Sequence, residues 1–263
     1  MSKIVILTGN ELRHNYYISE ISKKLDVVGA VREEKIYQAN KFKENADEFN
    51  VAQKHFESRK KSEEKFFKDK IKSEFDFELL DIKNGTVNSH EVFEWVKNKN
   101  PDYILLFGCS LIKEPLISYY ENKIINLHLG LSPYYRGGGT NFWPLVNKQP
   151  ELVGGTIHLA VLKVDAGDIL KQVRPDVNAA DGPHDLGNKT IIKAIENIPD
   201  VVKEYEKGIR KPIRQNLEKG LVYKRKDLTT EGIKQLYENF DSGMIAEYLN
   251  SKEEKIKLYP IVE

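Results

Sequence analysis

The sequence predicts an α/β protein: a Rossmann-like, mostly parallel sheet with helices on both faces, followed by a small C-terminal extension of a hairpin and helices. Three observations carry that expectation. Short β-branched runs recur along the chain and are separated by stretches of helical length. The first run, residues 3–7, ends at Thr8-Gly9-Asn10, as a buried parallel strand does when it turns into a helix. The 263 residues, 40% hydrophobic and 31% charged, are enough for a sizeable core under a solvated surface.

Each element follows in order. Residues 27–31 form a second apolar run, 103–107 (YILLF) a third and 124–127 a fourth. In 155–161, Thr156, His158 and Ala160 alternate with Ile157, Leu159 and Val161, which predicts a fifth strand. Between Ala30 and Asn84 there is no Gly or Pro, and Lys and Glu alternate densely. Phe42, Phe49 and Phe56 recur there at seven-residue spacing, so a long solvated helix over 33–75, pinned by a Phe stripe, is expected. A second reading makes this helix a cap over a site, with His55, Glu57 and Arg59 near a substrate. Beyond about residue 195 the pattern changes. Pro212 and Gly220 punctuate 215–224, an expected hairpin, and helices are expected over 230–236 and 242–249. The organisation read from this is a core of residues 1–195 with residues 196–263 packed on it.

Composition narrows the function. No apolar run approaches the roughly 18 residues of a membrane span, and MSKIVILTG passes straight into polar sequence, so it reads as a strand and not a signal peptide. The lone Cys109 rules out an internal disulfide and fits a reducing, cytoplasmic setting. A net charge of +1, with nearly balanced charges in 201–263, gives no basic surface for nucleic acid. No His or Cys spacing matches a metal site, so no metal is expected. Gly137–Gly139 lack the following Lys-Ser/Thr of a phosphate loop, and Gly9 stands outside G-x-G-x-x-G spacing. Gly130-Leu131-Ser132-Pro133-Tyr134 lacks the final glycine of a serine nucleophile elbow.

The chemistry-bearing stretch is 124–170. Asn126 and His128 are two residues apart on one strand, hence on the same face near its carboxyl end, where ligands gather in open α/β sheets. Pro133 and three successive glycines make an irregular loop. A later strand leads to Val164-Asp165-Ala166-Gly167, a tight loop at what can be the same edge. An amide, an imidazole and a carboxylate suit acyl transfer to an amine without a covalent enzyme intermediate. Donors aimed at the developing oxyanion are worth roughly 3–4 kcal/mol each, and a His–Asp pair can carry the protons. Either strand residue alone could merely cap a strand end. Asp168 reads as a solvated turn or helix-start residue, His158 as a satisfied core histidine, His184 as a helix-start residue after Asp181-Gly182-Pro183, and Cys109 as a packing residue beside a ligand.

The order N-x-H, then S-P-x-x-x-G, then V-D-x-G resembles the formyltransferase family that uses N10-formyltetrahydrofolate, closely over 103–170 and loosely over 1–190. The resemblance implies a formyltransferase enzyme in which Asn126, His128 and Asp165 are the catalytic trio. It implies that the folate cosubstrate lies against Phe107, Gly108, Cys109, Ser110, Leu111 and Ile112 and against Leu162, Lys163 and Val164. Tyr135-Arg136-Gly137, Asn141-Phe142-Trp143 and Thr8-Gly9-Asn10 with Arg13-His14 look most like the sugar N-formyltransferases. Substrate contacts are therefore expected at Arg13, His14, Tyr135, Arg136, Gly137, Gly138, Thr140 and Asn141. Ser132 departs from the family's usual Leu before the proline. The expected acceptor is a nucleotide-linked amino sugar or a nonulosonic acid, with no nucleic-acid or membrane partner. Methionyl-tRNA is the alternative acceptor, a non-catalytic folate-binding module the alternative class, and a homodimer remains open.

Overall fold

The computed structural model describes residues 2–263. Five strands, β1 (Lys3–Gly9), β2 (Asp26–Glu33), β3 (Glu78–Ile82), β4 (Tyr103–Phe107) and β5 (Ile124–His128), run parallel in the order β3-β2-β1-β4-β5. After the short β6 (Tyr135–Gly137), β7 (Gly155–Leu159) and β8 (Ile169–Val173) extend the same sheet antiparallel beyond β5. The mostly parallel, doubly wound sheet is the one expected.

The apolar runs explain the layers. Successive side chains of a strand point to opposite faces, so β1 feeds two cores. Ile4 and Ile6 pack with Tyr17, Ile18 and Ile21 of α1 (Leu12–Ser22) and with Ile191, Ile195 and Ile198 of α6 (Pro183–Glu206). Val5 and Leu7 pack on the other face with Val92 and Val96 of α3 (His90–Lys99) and Leu116 of α4 (Leu116–Tyr119). β3 and β8 were absent from the sequence expectation. Both carry charged or amide residues (Glu78 and Asp81; Lys171 and Gln172) that interrupt the apolar run, as sheet-edge strands do.

The Lys/Glu-rich segment forms α2 (Ala46–Phe67), shorter than the expected 33–75. Asn45 caps it, its side-chain oxygen accepting from Asp47 N at 3.1 Å and Glu48 N at 3.2 Å. Phe42 lies in a 3₁₀ turn ahead of the helix, so the Phe stripe spans two elements. Phe42, Ala52 and Phe56 bury Ile233 of α7 (Thr230–Asp241), so the stripe docks on the C-terminal extension.

The expected hairpin at 215–224 is corrected. Leu221–Tyr223 forms β9, which pairs parallel with β6, Tyr135 opposite Leu221 and Gly137 opposite Tyr223. Gly220 decides this: at φ +88° its α-carbon lies so close to the Pro133 carbonyl that a Cβ would sit 2.0 Å from the oxygen. The chain therefore turns against residues 133–134 and Leu221 N donates to Tyr134 O at 2.7 Å. Helix α6 runs unbroken through residue 195, where the extension was expected to begin. After it, α7 and α8 (Met244–Lys257) bury Leu236, Ile245 and Tyr248 against Leu186, Val153 and Leu145, the last on α5 (Trp143–Val146). Among the described residues no helix is long and apolar enough to cross a membrane.

Candidate active site

Connections from β1 and β4 diverge to opposite sides, and the crevice between their carboxyl ends is where open α/β sheets bind ligands. A cavity of about 660 Å³ opens there, lined by strand ends, the glycine loop and the inner side of α2. His14 sits at its base. The ring accepts from Glu11 N through Nδ1 at 3.1 Å, which leaves the proton on Nε2, beside Gly108. Gly108 has φ +68°, and a Cβ there would meet Nε2 of His14 at 2.4 Å, so glycine is required at this strand end.

Asn126, His128 and Asp165 converge on the cavity. Nδ1 of His128 lies 3.3 Å from Oδ2 of Asp165, and Nε2 lies 3.0 Å from the Tyr135 carbonyl oxygen. Nδ2 of Asn126 lies 3.5 Å from Oδ1 of Asp165. Asp165 adopts φ +46°, a left-handed conformation that Asp tolerates better than most residues. Its Oδ2 also accepts from Gly137 N at 2.9 Å, which ties the glycine loop to the carboxylate.

The charges follow from this geometry. Burial alone would raise the Asp165 pKa. His128, His158 and the Gly137 N–H outweigh it and hold the carboxyl well below its ordinary value, so it stays ionised. Burial lowers the His128 pKa, and the Asp165 charge and the Tyr135 carbonyl only partly restore it. The imidazole is therefore neutral near pH 7, with an acceptor facing each nitrogen. Burial, with the charge of Glu33, pushes the Cys109 thiol up to about 12, which suits a packing residue and not a nucleophile.

Phe107, Gly108, Cys109, Ser110, Leu111, Ile112 and Val164 line the cavity. Leu162 and Lys163 do not; they lie at the exposed outside of the turn, and Ala160 and Val161 take their place. Arg13, His14, Gly137, Gly138, Thr140 and Asn141 line it too. Asn141 accepts from Gly154 N at 3.0 Å and leaves its buried Nδ2 without a partner. Tyr135 and Arg136 are corrected, because β6 turns both side chains inward. The Tyr135 hydroxyl donates to Gln149 at 2.5 Å and its ring stacks on Tyr223, while the buried Arg136 donates to Leu217 O at 3.3 Å. Only the Tyr135 carbonyl reaches the trio.

Two more histidines line the cavity. The antiparallel register of β5 and β7 sets His158 opposite Asn126. Its Nδ1–H donates to Leu159 O at 2.8 Å, so Nε2 accepts from Asn126 Nδ2 at 3.0 Å and orients that amide. His158 is buried and satisfied as expected, yet it belongs to the trio's surroundings. Its two-residue alternation was visible, but the partner strand was not. His184 does not cap α6: Gly182 is the cap residue and its N–H donates to Asp185 at 3.3 Å. His184 lines the cavity instead, with His55 and Arg59 of α2, whereas Glu57 points outward. Asp168 stands just before strand β8 and starts no helix. The Ser132 hydroxyl is buried without a partner and is no part of the cavity.

The sequence model of the formyl transferase family matches residues 3–202. The chain belongs to the formyl transferase family. Among curated relatives, methionyl-tRNA formyltransferase of Finegoldia magna is 29% identical over 164 residues, covering 61% of this chain and 52% of that protein. GDP-perosamine N-formyltransferase of Brucella melitensis is 28% identical over 130 residues, covering 49% of this chain and 50% of that protein. The chain thus spans about half the length of these relatives. The fold is shared with a 4-N formyltransferase from Francisella tularensis, with a TM-score of 0.56 and 20% identity over 91% of this chain and 87% of that one. It is shared as well with the formyltransferase PseJ from Anoxybacillus kamchatkensis, solved with UDP-4,6-dideoxy-4-formamido-L-AltNAc and tetrahydrofolate. That match has a TM-score of 0.51 and 17% identity over 89% of this chain and 97% of that one.

Proposed function

We propose that this formyl transferase family member moves a formyl group from N10-formyltetrahydrofolate to the amine of an amino sugar, carried on a nucleotide or occurring as a nonulosonic acid. The observation that carries the reading is the convergence of Asn126, His128 and an ionised Asp165 in one cavity with the strand end after β4. The residues around that strand end fit a flat heterocycle: Gly108 keeps the backbone bare, and Leu111, Val161 and Val164 offer exposed apolar surface. The bound cosubstrate would supply an electrophilic formyl carbon.

The chain's own residues then divide the work. Neutral His128 takes the proton that the attacking amine must lose. The imidazolium so formed lies between two acceptors, Asp165 and the Tyr135 carbonyl, and is stabilised as it appears. Asn126, held by His158, presents an amide N–H where the formyl oxygen gains negative charge, an interaction worth roughly 3–4 kcal/mol. The protonated His128 can return the proton to the leaving nitrogen.

The sugar acceptor is supported by the GDP-perosamine relative and by the near-neutral charge. The Finegoldia relative favours methionyl-tRNA as the second reading. The test is formylation, with formyl-folate, of GDP-perosamine, UDP-linked 4-amino sugars, amino nonulosonic acids and methionyl-tRNA. Turnover of an amino sugar that falls at least a hundredfold in Asn126→Ala and His128→Ala is expected. Formylation of methionyl-tRNA with no amino sugar accepted overturns the sugar reading, and wild-type turnover by His128→Ala overturns the mechanism.

A further inference from the structure

The transfer chemistry leaves one charged part of the cavity unused, the rim where the C-terminal extension meets the glycine loop. Lys224 and Arg225 follow β9 directly, and both line the cavity. The β6–β9 pairing brings them there. Gly138 N donates to Tyr223 O at 2.8 Å, and a Cβ on Gly138 would stand only 3.6 Å from Arg225 N. Glycine at 138 thus keeps the space beside this stretch open.

The backbone of the turn is committed, but its charges are not. Lys224 N donates to Asp227 Oδ2 at 2.6 Å, and Lys41 Nζ donates to Lys226 O at 2.7 Å and to Leu228 O. Arg225 Nη2 donates to Ile36 O at 3.4 Å, which draws its side chain toward the segment after β2 and leaves most of its N–H donors free. Among the described residues Lys224 Nζ has no hydrogen-bond partner, and neither side chain has an ion pair.

The other cations of the lining are matched. Arg13 pairs with Glu63 at 2.5 Å and with Glu11, while Arg59 pairs with Glu11 at 3.2 Å and Glu63 at 3.7 Å. Lys35 lies 3.8 Å from the buried Glu33 carboxylate. Asp165, the remaining anion of the lining, is held by His128, Asn126 and Gly137 N. Lys224 and Arg225 therefore present two unmatched positive charges to the opening.

The path from the trio to this rim is short. Asp165 accepts from Gly137 N at 2.9 Å, and the next residue, Gly138, lies against Arg225. Two residues of chain reach at most about 7 Å, the scale of one sugar ring. A ring whose amine is held at His128 can thus bring its far side to Lys224 and Arg225.

We propose that Lys224 and Arg225 hold the diphosphate of the acceptor, which is then a nucleoside-diphosphate-linked amino sugar and not a free nonulosonic acid. The inference rests on the amino-sugar reading and narrows it to one acceptor class. Charge decides between the two: a diphosphate brings two negative charges to two cations, a free nonulosonic acid a single carboxylate. Arg225 offers a planar fork of donors to phosphate oxygens, and Lys224 adds a point charge. Both are specificity-determining residues. Because both are exposed, their effect is weakened by salt.

The test uses the full chain and the best nucleotide-linked acceptor of the panel above, with acceptor KM, kcat and folate affinity measured separately. In the double variant Lys224→Gln, Arg225→Gln, acceptor KM should rise about tenfold, and the corresponding nucleoside diphosphate should bind about tenfold more weakly by calorimetry. Folate affinity should stay within about twofold. The wild-type preference for that acceptor over the same amino sugar without its nucleotide should shrink by the same factor. Added salt should raise acceptor KM in wild type and change it little in the double variant. Unchanged acceptor KM and diphosphate affinity in the double variant overturn the inference while the amino-sugar reading stands. Turnover of a free amino nonulosonic acid in preference to every nucleotide-linked sugar does the same. A parallel loss of folate affinity makes the turn structural and also overturns it. Methionyl-tRNA as the sole acceptor overturns both readings together.

Discussion

At the scale of single residues, the candidate site gathers groups whose ordinary chemistry is shifted by what surrounds them. His128 is an imidazole whose proton affinity is set by a contest between burial, which lowers it, and Asp165, which raises it. The acid limb of kcat/KM should therefore fall below the ordinary imidazole value of 6.5. Asp165→Asn removes the raising charge, so the limb should move to still lower pH as overall turnover drops. A pH–rate profile checks this, and a limb that stays in place would assign the titration to another group. The carboxylate has its own signature. Its folded pKa lies below the ordinary 3.8, so its stabilising contribution is fully present above that value. It is lost only as pH falls through the depressed folded value. Acid unfolding followed by circular dichroism should thus begin at a higher pH in Asp165→Asn than in wild type.

At the scale of elements, strand ends and loops decide what the side chains can reach. The β4 end turns at Gly108 directly over the His14 ring, and so couples the strand expected to meet folate to the first helix. Gly108→Ala combines a positive φ with a contact at 2.4 Å, and should cost about 1–3 kcal/mol of stability and weaken folate binding. Cys109→Ser, one residue on, should leave both nearly unchanged. Thermal unfolding and folate calorimetry distinguish the two, and equal behaviour would mean that the strand end does not shape the pocket. The neighbouring β6–β9 pairing shows why loop sequence misled. A tyrosine followed by an arginine after β5 looks like a substrate grip, but pairing with β9 buries both and leaves only the Tyr135 carbonyl beside His128.

At the scale of the whole molecule, the C-terminal extension is part of the core. Leu236, Ile245 and Tyr248 are buried against Leu145, Val153 and Leu186. Burying each such side chain contributes about 1.5–3 kcal/mol, against a total stability of about 5–15 kcal/mol for a domain. A chain ending at residue 206 loses these contacts, the β9 strand and the α7 wall beside α2. It should unfold without a cooperative transition in differential scanning calorimetry. A sharp transition near the wild-type temperature would make residues 207–263 dispensable. The same arrangement gives α2 its place, since its Phe stripe is held by Ile233 and Tyr237 on α7.

The sequence by itself determined the parallel sheet and the helices on its faces, because apolar periodicity is a local property written in each strand and helix. Asn126, His128 and the glycine loop were legible for the same reason: they share one short strand and the turn after it. The edge strands β3 and β8 were not, since their polar residues dilute the period. Three things belonged to tertiary structure alone. The register of β7 against β5 set His158 behind Asn126. The parallel pairing of β9 turned Tyr135 and Arg136 inward. The docking of α2 on α7 and α6 brought His55, His184 and Tyr237 together across sequence separations of up to 182 residues. No local pattern encodes such contacts, because each is fixed by how distant apolar faces find the arrangement that buries them together.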